Sequence, residues 1–284
     1  MIVLFLAKFT DTMNKIKIIV FAVFTSLVMA CTQNAITGRK QLTLYNEEDI
    51  RSMARDQYQQ FLSQNKVVSA GNNKDAEMVQ RVGRRLTAAI TQYYASKGLS
   101  KELEGYKWEY NLVDSKDVNA WCMPGGKIVV YTGLLPITQN EAALAVVMGH
   151  EIAHALARHG NERMSQATAQ QLGGVALSVA VANKSPEAQN LFMSAYGIGT
   201  TVGGLLPFSR KQELEADKFG LIFSAMAGYN PQEAIPLWER MQQAGGGNRP
   251  PEFLSTHPAE STRIERLKEL MPTALKYYKP MNNK

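Results

Sequence analysis

Between Asp75 and about Lys97 the apolar residues Met78, Val79, Val82, Leu86 and Ile90 recur at three- and four-residue intervals, which predicts an amphipathic helix. A helix is also predicted from about Asn46 to Gln64, with the polar loop "SAGNNKD" between the two. The period then changes. "KWEYNLVDS" alternates like a strand, and "NAWCMPGGKIVVYTGLL" sets a Pro-Gly-Gly turn between two strand-like runs, a hairpin signal. Helical patterning returns after Thr138-Gln139-Asn140-Glu141, which reads as a capping box, and Gly160 is the expected stop of that helix. A second capping-box pattern, Ser209 to Gln212, opens "ELEADKFGLIFSAMA", which is expected to run to Gly228. Asn230-Pro231 starts a further helix through "PQEAIPLWERMQQA", and "STHPAESTRIERLKELM" opens a final one. No internal repeat is present and no boundary interrupts residues 46–284. The expected fold is one α+β domain, mostly helical, with a small antiparallel sheet.

Two segments bear on membranes. The stretch from Met164 to Phe208 is rich in Ala, Gly, Ser and Val, but its longest apolar run, "LGGVALSVAVA", is too short to span a bilayer. Buried core helices, or helices covering a cleft, are expected there. At the N-terminus, "MNKIKIIVFAVFTSLVMACTQ" has a basic start, a short apolar run and small residues before Cys31, the layout of a signal peptide over residues 1–30. Met13 is an alternative start. "LVMAC" resembles a bacterial lipobox, so Cys31 is the expected lipidation point and residues 31–45 a polar tether. A lipid anchor puts the protein on the periplasmic side of the cell envelope, and Thr32 after the cysteine leans toward the outer membrane. Cys122 is then left without a partner and is expected to be a small buried apolar residue.

The composition, 45% hydrophobic and 20% charged, is that of a globular protein. The net charge of +6 includes Lys8, Lys15 and Lys17 and is otherwise spread without a basic cluster, which argues against a nucleic-acid partner.

The chemistry concentrates in "VVMGHEIAHALARHG", which holds three of the four histidines. A helix turns about 100° per residue, so His150 and His154 face nearly the same way and can offer nitrogens to one ion. Glu151 points about 100° from the first ligand, poorly placed as a ligand but well placed to take a proton from an attacking water. This is the mechanical content of H-E-x-x-H, two zinc ligands and a general base. The apolar flanks support a metal, because two buried imidazoles and a carboxylate without partners are costly. Ala157 and Gly160 stand where a metzincin would carry glycine and histidine, which excludes that class. His159 lies about 140° around the same helix from His154 and cannot share the ion; a role at the helix end is expected. The third ligand must come from elsewhere. In "SRKQELEADKFG", Glu213 and Asp217 share a helix face while Glu215 should face away, but spacing alone leaves Glu213 one of several candidate carboxylates.

"HEIAHALARHG", "SRKQELEAD" and "STHPAESTRI" occur in the order seen in the HtpX/CAAX-prenyl-protease family of zinc metallopeptidases, which the chain resembles over nearly all of residues 34–275. "NAITGRKQL" and the hairpin sequence extend the likeness, which is greatest to the periplasmic lipoprotein branch of LoiP-like and BepA-like peptidases. The resemblance implies a zincin-like (gluzincin) fold and one Zn2+ per chain, with Glu213 as third ligand and Asp217 behind the ligands. It also implies that His257 reaches the active site, either filling the fourth position at rest or stabilising the tetrahedral oxyanion, with Arg263 assisting that negative charge. The strand Gly125–Gly133 is a candidate edge for an extended substrate. The function implied is a zinc endopeptidase acting on misfolded or misassembled envelope proteins. Its rival is a non-proteolytic client-binding factor that uses the same cleft.

Overall fold

The computed structural model describes residues 31–170, 185–196, 198, 208–245, 251–257 and 262–280. The expected signal peptide and much of the Ala/Gly-rich stretch between 164 and 208 lie outside the described residues.

The residues expected to form a polar tether instead form a hairpin of β1 (Cys31–Gln33) and β2 (Lys40–Leu42), with Asn34 and Gln41 buried. Helix α1 (Glu47–Gln64) starts where the Asn46 side chain accepts the backbone N–H of Glu48, and α2 (Lys74–Ser96) where Asn73 accepts that of Ala76. Strands β3 (Val67–Val68), β4 (Glu109–Val113), β5 (Ala120–Met123) and β6 (Lys127–Tyr131) form one sheet in the order β3-β4-β6-β5. The β3–β4 and β5–β6 pairings are antiparallel, whereas β4 and β6 run parallel because the β5 hairpin arm intervenes in the chain between them.

The order corrects one expectation. The strand within Gly125–Gly133 is interior, paired on both sides, and β5 beyond it and β3 at the far side are the edges. Both faces of the sheet are covered. Ala120, Cys122, Ile128 and Val130 join the core shared with α2, while Trp121, Met123, Val129 and Tyr131 join a second core shared with α1. The alternation of side chains across a strand thus delivers apolar residues to two layers.

After a one-turn helix α3 (Leu135–Thr138), Gln139 takes a left-handed φ of 64° and Asn140, not Thr138, caps α4 (Glu141–Leu156) by accepting the N–H of Ala143. Every α4 residue from Ala143 onward is buried, as expected of a helix that is apolar on all sides. Helix α4 ends earlier than Gly160. Ala157 is its C-cap, Arg158 has φ 57°, and α5 (His159–Gln170) begins at once after it. Arg158 is held there by Glu102 at 3.0 Å.

Helix α6 (Pro186–Ala195) is capped by Ser185, and α7 (Arg210–Met226) opens with both bonds of the predicted capping box between Ser209 and Gln212. After a 3₁₀ turn at Pro231–Glu233 come α8 (Ala234–Gly245), α9 (Glu252–Thr256) and α10 (Arg263–Leu275). Helices α4 and α7 pack with glycine against glycine. A Cβ on Gly149 would lie 2.9 Å from the carbonyl oxygen of Gly220, and one on Gly220 would lie 2.8 Å from the nitrogen of His150. Ser224 ties the same crossing by donating to the carbonyl of Ala145 at 2.9 Å. No described helix is long and apolar enough to cross a membrane.

Candidate metal centre

The close α4–α7 crossing brings His150, Glu151 and His154 from one helix against Glu213 and Asp217 from the other. His257 enters from the C-cap of α9 and Arg263 from the first turn of α10. All seven side chains are buried. His150, His154, Glu213 and His257 each aim one donor atom at a common point, and these atoms all lie within 4.8 Å of one another. The Nε2 atoms of His150 and His154 are 3.0 Å apart, and Nδ1 of His257 is 3.3 Å from Nε2 of His150. Glu213 Oε1 is 3.3 Å from Nε2 of His154 and 3.0 Å from Nδ1 of His257.

These separations suit a cation. Tetrahedral nitrogen donors about 2.0–2.1 Å from zinc stand roughly 3.3 Å apart. Nδ1 of His150 is 3.0 Å from Oδ1 of Asp217, and the same oxygen receives Arg263 Nη2 at 2.7 Å. Burial disfavours the Asp217 carboxylate, but Arg263 and His150 outweigh it and hold the group below its ordinary range. An ionised carboxylate only accepts, so His150 donates from Nδ1, and Nε2 is the nitrogen turned toward the other donors. Glu213 is likewise opposed by burial yet held well below the usual carboxylate range by His257, Arg263 and His150. His154 is kept neutral by burial, and burial pushes the His257 imidazole down to about 4. The cluster thus sets three imidazole nitrogens beside one carboxylate, the donor types a divalent ion such as zinc takes.

Glu151 differs from the other carboxylate. Its Oε1 is buried without a hydrogen-bond partner, and Nε2 of His257 lies 3.4 Å away. Burial, with the nearby charge of Glu213, pushes this carboxyl well above its usual range. A carboxylate so raised, beside a set of metal donors, is suited to accept a proton rather than to bind the ion.

The structure brings together His150, Glu151, His154, Glu213, Asp217, His257 and Arg263, whereas Cys31 lies in the N-terminal hairpin, and it corrects the expected place of His159. Arg263 is turned to the carboxylates of α7, with Nη1 on Glu213 Oε2 at 2.7 Å and Nη2 on Asp217, while its buried Nε has no hydrogen-bond partner. Its guanidinium also stacks on Trp238, 3.6 Å from the ring centroid. His159 does not finish the motif helix. It opens α5, is fully buried, and places Nδ1 at 2.9 Å from Nδ1 of His154. Glu215 faces away from the donor group as expected, and there it meets Nε2 of His159 at 2.9 Å. His159 stays outside the donor group as expected, but its place at the end of α4 was wrong because α4 breaks at Arg158, and a non-glycine residue in the left-handed region leaves little trace in sequence.

Two further residues went unmarked in the sequence. The Phe208 ring packs over His154 at a centroid distance of 3.8 Å, and Arg163 stacks on Phe208 at 3.7 Å. Two nitrogens of Arg163 are buried without hydrogen bonds, and burial pushes its guanidinium down to about 9.

The comparison with known proteins fits this geometry. Residues 74–271 match the family model of peptidase family M48. The mitochondrial metalloendopeptidase OMA1 of Saccharomyces cerevisiae is 37% identical over 183 residues, 62% of this chain and 50% of that protein. The OMA1 of Schizosaccharomyces pombe is 33% identical over 241 residues, 84% of this chain and 66% of that protein. The β-barrel assembly-enhancing protease of Escherichia coli is 31% identical over 183 residues, 62% of this chain and 37% of that protein. The chain thus spans about half the length of the curated relatives it matches. The helices that carry His150, His154 and Glu213 lie within the matched residues, and with this buried cluster able to hold a metal the protein belongs to peptidase family M48.

Proposed function

We propose that the chain is a zinc endopeptidase of the bacterial cell envelope, close to the LoiP-like and BepA-like lipoprotein branch, that cleaves misfolded or misassembled envelope proteins. The observation that carries the reading is the buried Glu151, whose Oε1 has no hydrogen-bond partner and whose carboxyl is pushed up by burial, beside a cluster of nitrogen and carboxylate donors. A purely structural ion needs no base next to its ligands, so Glu151 also weighs against a client-binding factor without activity. Zinc is the ion that such a nitrogen and oxygen set suits, and when bound it would polarise a peptide carbonyl and acidify water.

The chain's own residues divide the remaining tasks. His150, His154 and Glu213 hold the ion, and Asp217 fixes the tautomer of His150. Arg263 neutralises and orients the two carboxylates of α7. Glu151 takes a proton from the attacking water and returns it to the leaving amine. His257 offers a fourth donor and the edge strand β5 is buried, which supports reading this as a closed, resting arrangement. A substrate backbone would pair with β5, whose main chain reads little side-chain identity and so suits unfolded clients.

The envelope setting is supported by the lipobox-like "LVMAC" ahead of Cys31 and by the bacterial relative named for β-barrel assembly. Lipidation at Cys31 and a face toward the periplasm, on the outer membrane, complete the proposal. The test is metal analysis of the purified protein with cleavage of an unfolded casein by the wild type and by Glu151→Gln. One zinc per chain and cleavage by the wild type alone are expected. Equal absence of cleavage in both, with zinc bound, would reject the enzyme.

A further inference from the structure

The two histidines of the motif are supported in different ways. His150 meets its carboxylate directly, whereas His154 reaches one only through a second imidazole. We infer that His159 is a positioning residue of the metal centre, and that Arg39 of the N-terminal hairpin acts on His154 through Glu215 and His159. The inference rests on the metal-binding reading proposed above and adds to it a set of outer residues.

Each link is fixed by the one before it. Arg39 Nε donates to Glu215 Oε1 at 2.7 Å, which leaves Glu215 Oε2 facing Nε2 of His159 at 2.9 Å. A carboxylate paired to a guanidinium has no proton to give, so Nε2 of His159 carries the hydrogen and its Nδ1 is a bare acceptor. Nδ1 of His159 lies 2.9 Å from Nδ1 of His154. One of the two must donate, and only His154 can. Its Nε2, inside the donor cluster, is therefore left as a lone pair. Remove His159, and the Nδ1–H of His154 loses its described acceptor. The tautomer that carries hydrogen on Nε2 then becomes competitive, because it can donate to Glu213 Oε1 at 3.3 Å. That tautomer cannot bind the ion.

Arg39 is held for this purpose from several directions. It forks onto both oxygens of Glu162, at 2.5 and 2.7 Å, and Gln212 Nε2 donates to the same Glu162 at 2.7 Å. The hairpin that presents Arg39 grips the end of the motif helix. Asn34 donates to the carbonyl of Leu156 at 3.1 Å and Gln41 to that of Ala157 at 3.0 Å, carbonyls that a helix end leaves without intrahelical donors. The segment next to Cys31 thus closes the outer side of the metal centre rather than merely leading into the fold.

The inference is tested on the full chain by zinc competition against a chromogenic chelator, with circular dichroism to verify folding. His159→Ala should weaken zinc binding by about 10- to 100-fold, the range seen when a partner behind a ligand is lost. His159→Gln should restore most of the affinity, because its amide oxygen accepts from His154 and its NH2 donates to Glu215. If alanine fails to fold, Glu215→Gln at the partly exposed end of the chain of bonds should still weaken zinc about tenfold. Wild-type affinity in the folded alanine or Glu215→Gln variant, or equal loss in the alanine and glutamine variants, would overturn the inference. A wild-type protein that binds no zinc would instead reject the metal reading itself.

Discussion

The Cα of Gly220 faces the backbone of His150 so closely that an added Cβ would come within 2.8 Å of its nitrogen and 2.9 Å of its Cα. The obstacle is backbone, which cannot rotate aside. Gly220→Ala should therefore push α7 away from α4, at a cost of about 1–3 kcal/mol, the usual penalty of overpacking. Because Glu213 and Asp217 ride on α7, the same change should loosen metal binding. Thermal unfolding and zinc competition measure the two effects, and a variant with unchanged values for both would show that the crossing does not set the site.

Glu151→Gln should leave zinc content and melting temperature near those of the wild type while reducing peptide cleavage by about 10²–10⁴-fold, the range for loss of a general base. The glutamine fills the same volume and keeps an oxygen, but it cannot accept the proton. Cleavage of a quenched casein substrate, alongside metal analysis, reads both halves of the expectation.

Much of this site was legible because its chemistry is written in local spacing. His150, Glu151 and His154 lie within five residues of one helix, and the Ser209–Gln212 capping box fixes where the helix bearing Glu213 and Asp217 begins. The pairing of the two helices was not legible from spacing. It depends on Gly149 and Gly220 meeting across the core, and an isolated glycine in a helical pattern gives no partner's address. The interior position of β6 could have been anticipated, since "KIVVY" offers apolar residues to both faces, as a strand covered on both sides must. His159 was misjudged through one residue, Arg158, whose left-handed backbone breaks the helix that the angular count assumed.

Arg263→Ala should cost about 3–5 kcal/mol, because it strands two buried carboxylates that now share one guanidinium. Both carboxyls would rise in pKa once their cation is gone, since burial already pushes each of them upward. Denaturant unfolding should show the loss, and bound zinc should reduce it by stabilising the native state in which Glu213 is a ligand.

Cys122 is buried at the sheet and its thiol is pushed well above its ordinary range, first by burial and then by the charge of Glu151. In a Cys31→Ser background the native protein should therefore stay unlabelled by a thiol-specific disulfide reagent well above pH 8.5, the usual thiol pKa. The sign for stability follows. The folded state keeps its proton while the unfolded thiol loses it, so stability is unaffected below about pH 8.5 and declines as pH rises above that. Labelling should appear only on denaturation, and rapid labelling of the native protein at neutral pH would contradict the burial.

His257 supplies the fourth donor of the cluster, yet a catalytic ion needs one position free of protein. Nδ1 of His257 is 3.3 Å from His150 Nε2, and its ring is stacked on Phe253 and Phe208 at centroid distances of 4.3 and 4.9 Å. The imidazole is thus packed in place as well as aimed at the ion. His257→Ala should remove both the donor and the ring that fills the approach to Glu151, whose Oε1 is 3.4 Å from Nε2 of His257. The expected outcome is faster cleavage of unfolded casein together with easier removal of zinc by chelator. If His257 instead stabilised the transition state, cleavage would fall about 10²–10³-fold, as when an oxyanion donor is deleted, with zinc retention little changed. The two measurements taken together separate a blocking role from a stabilising one.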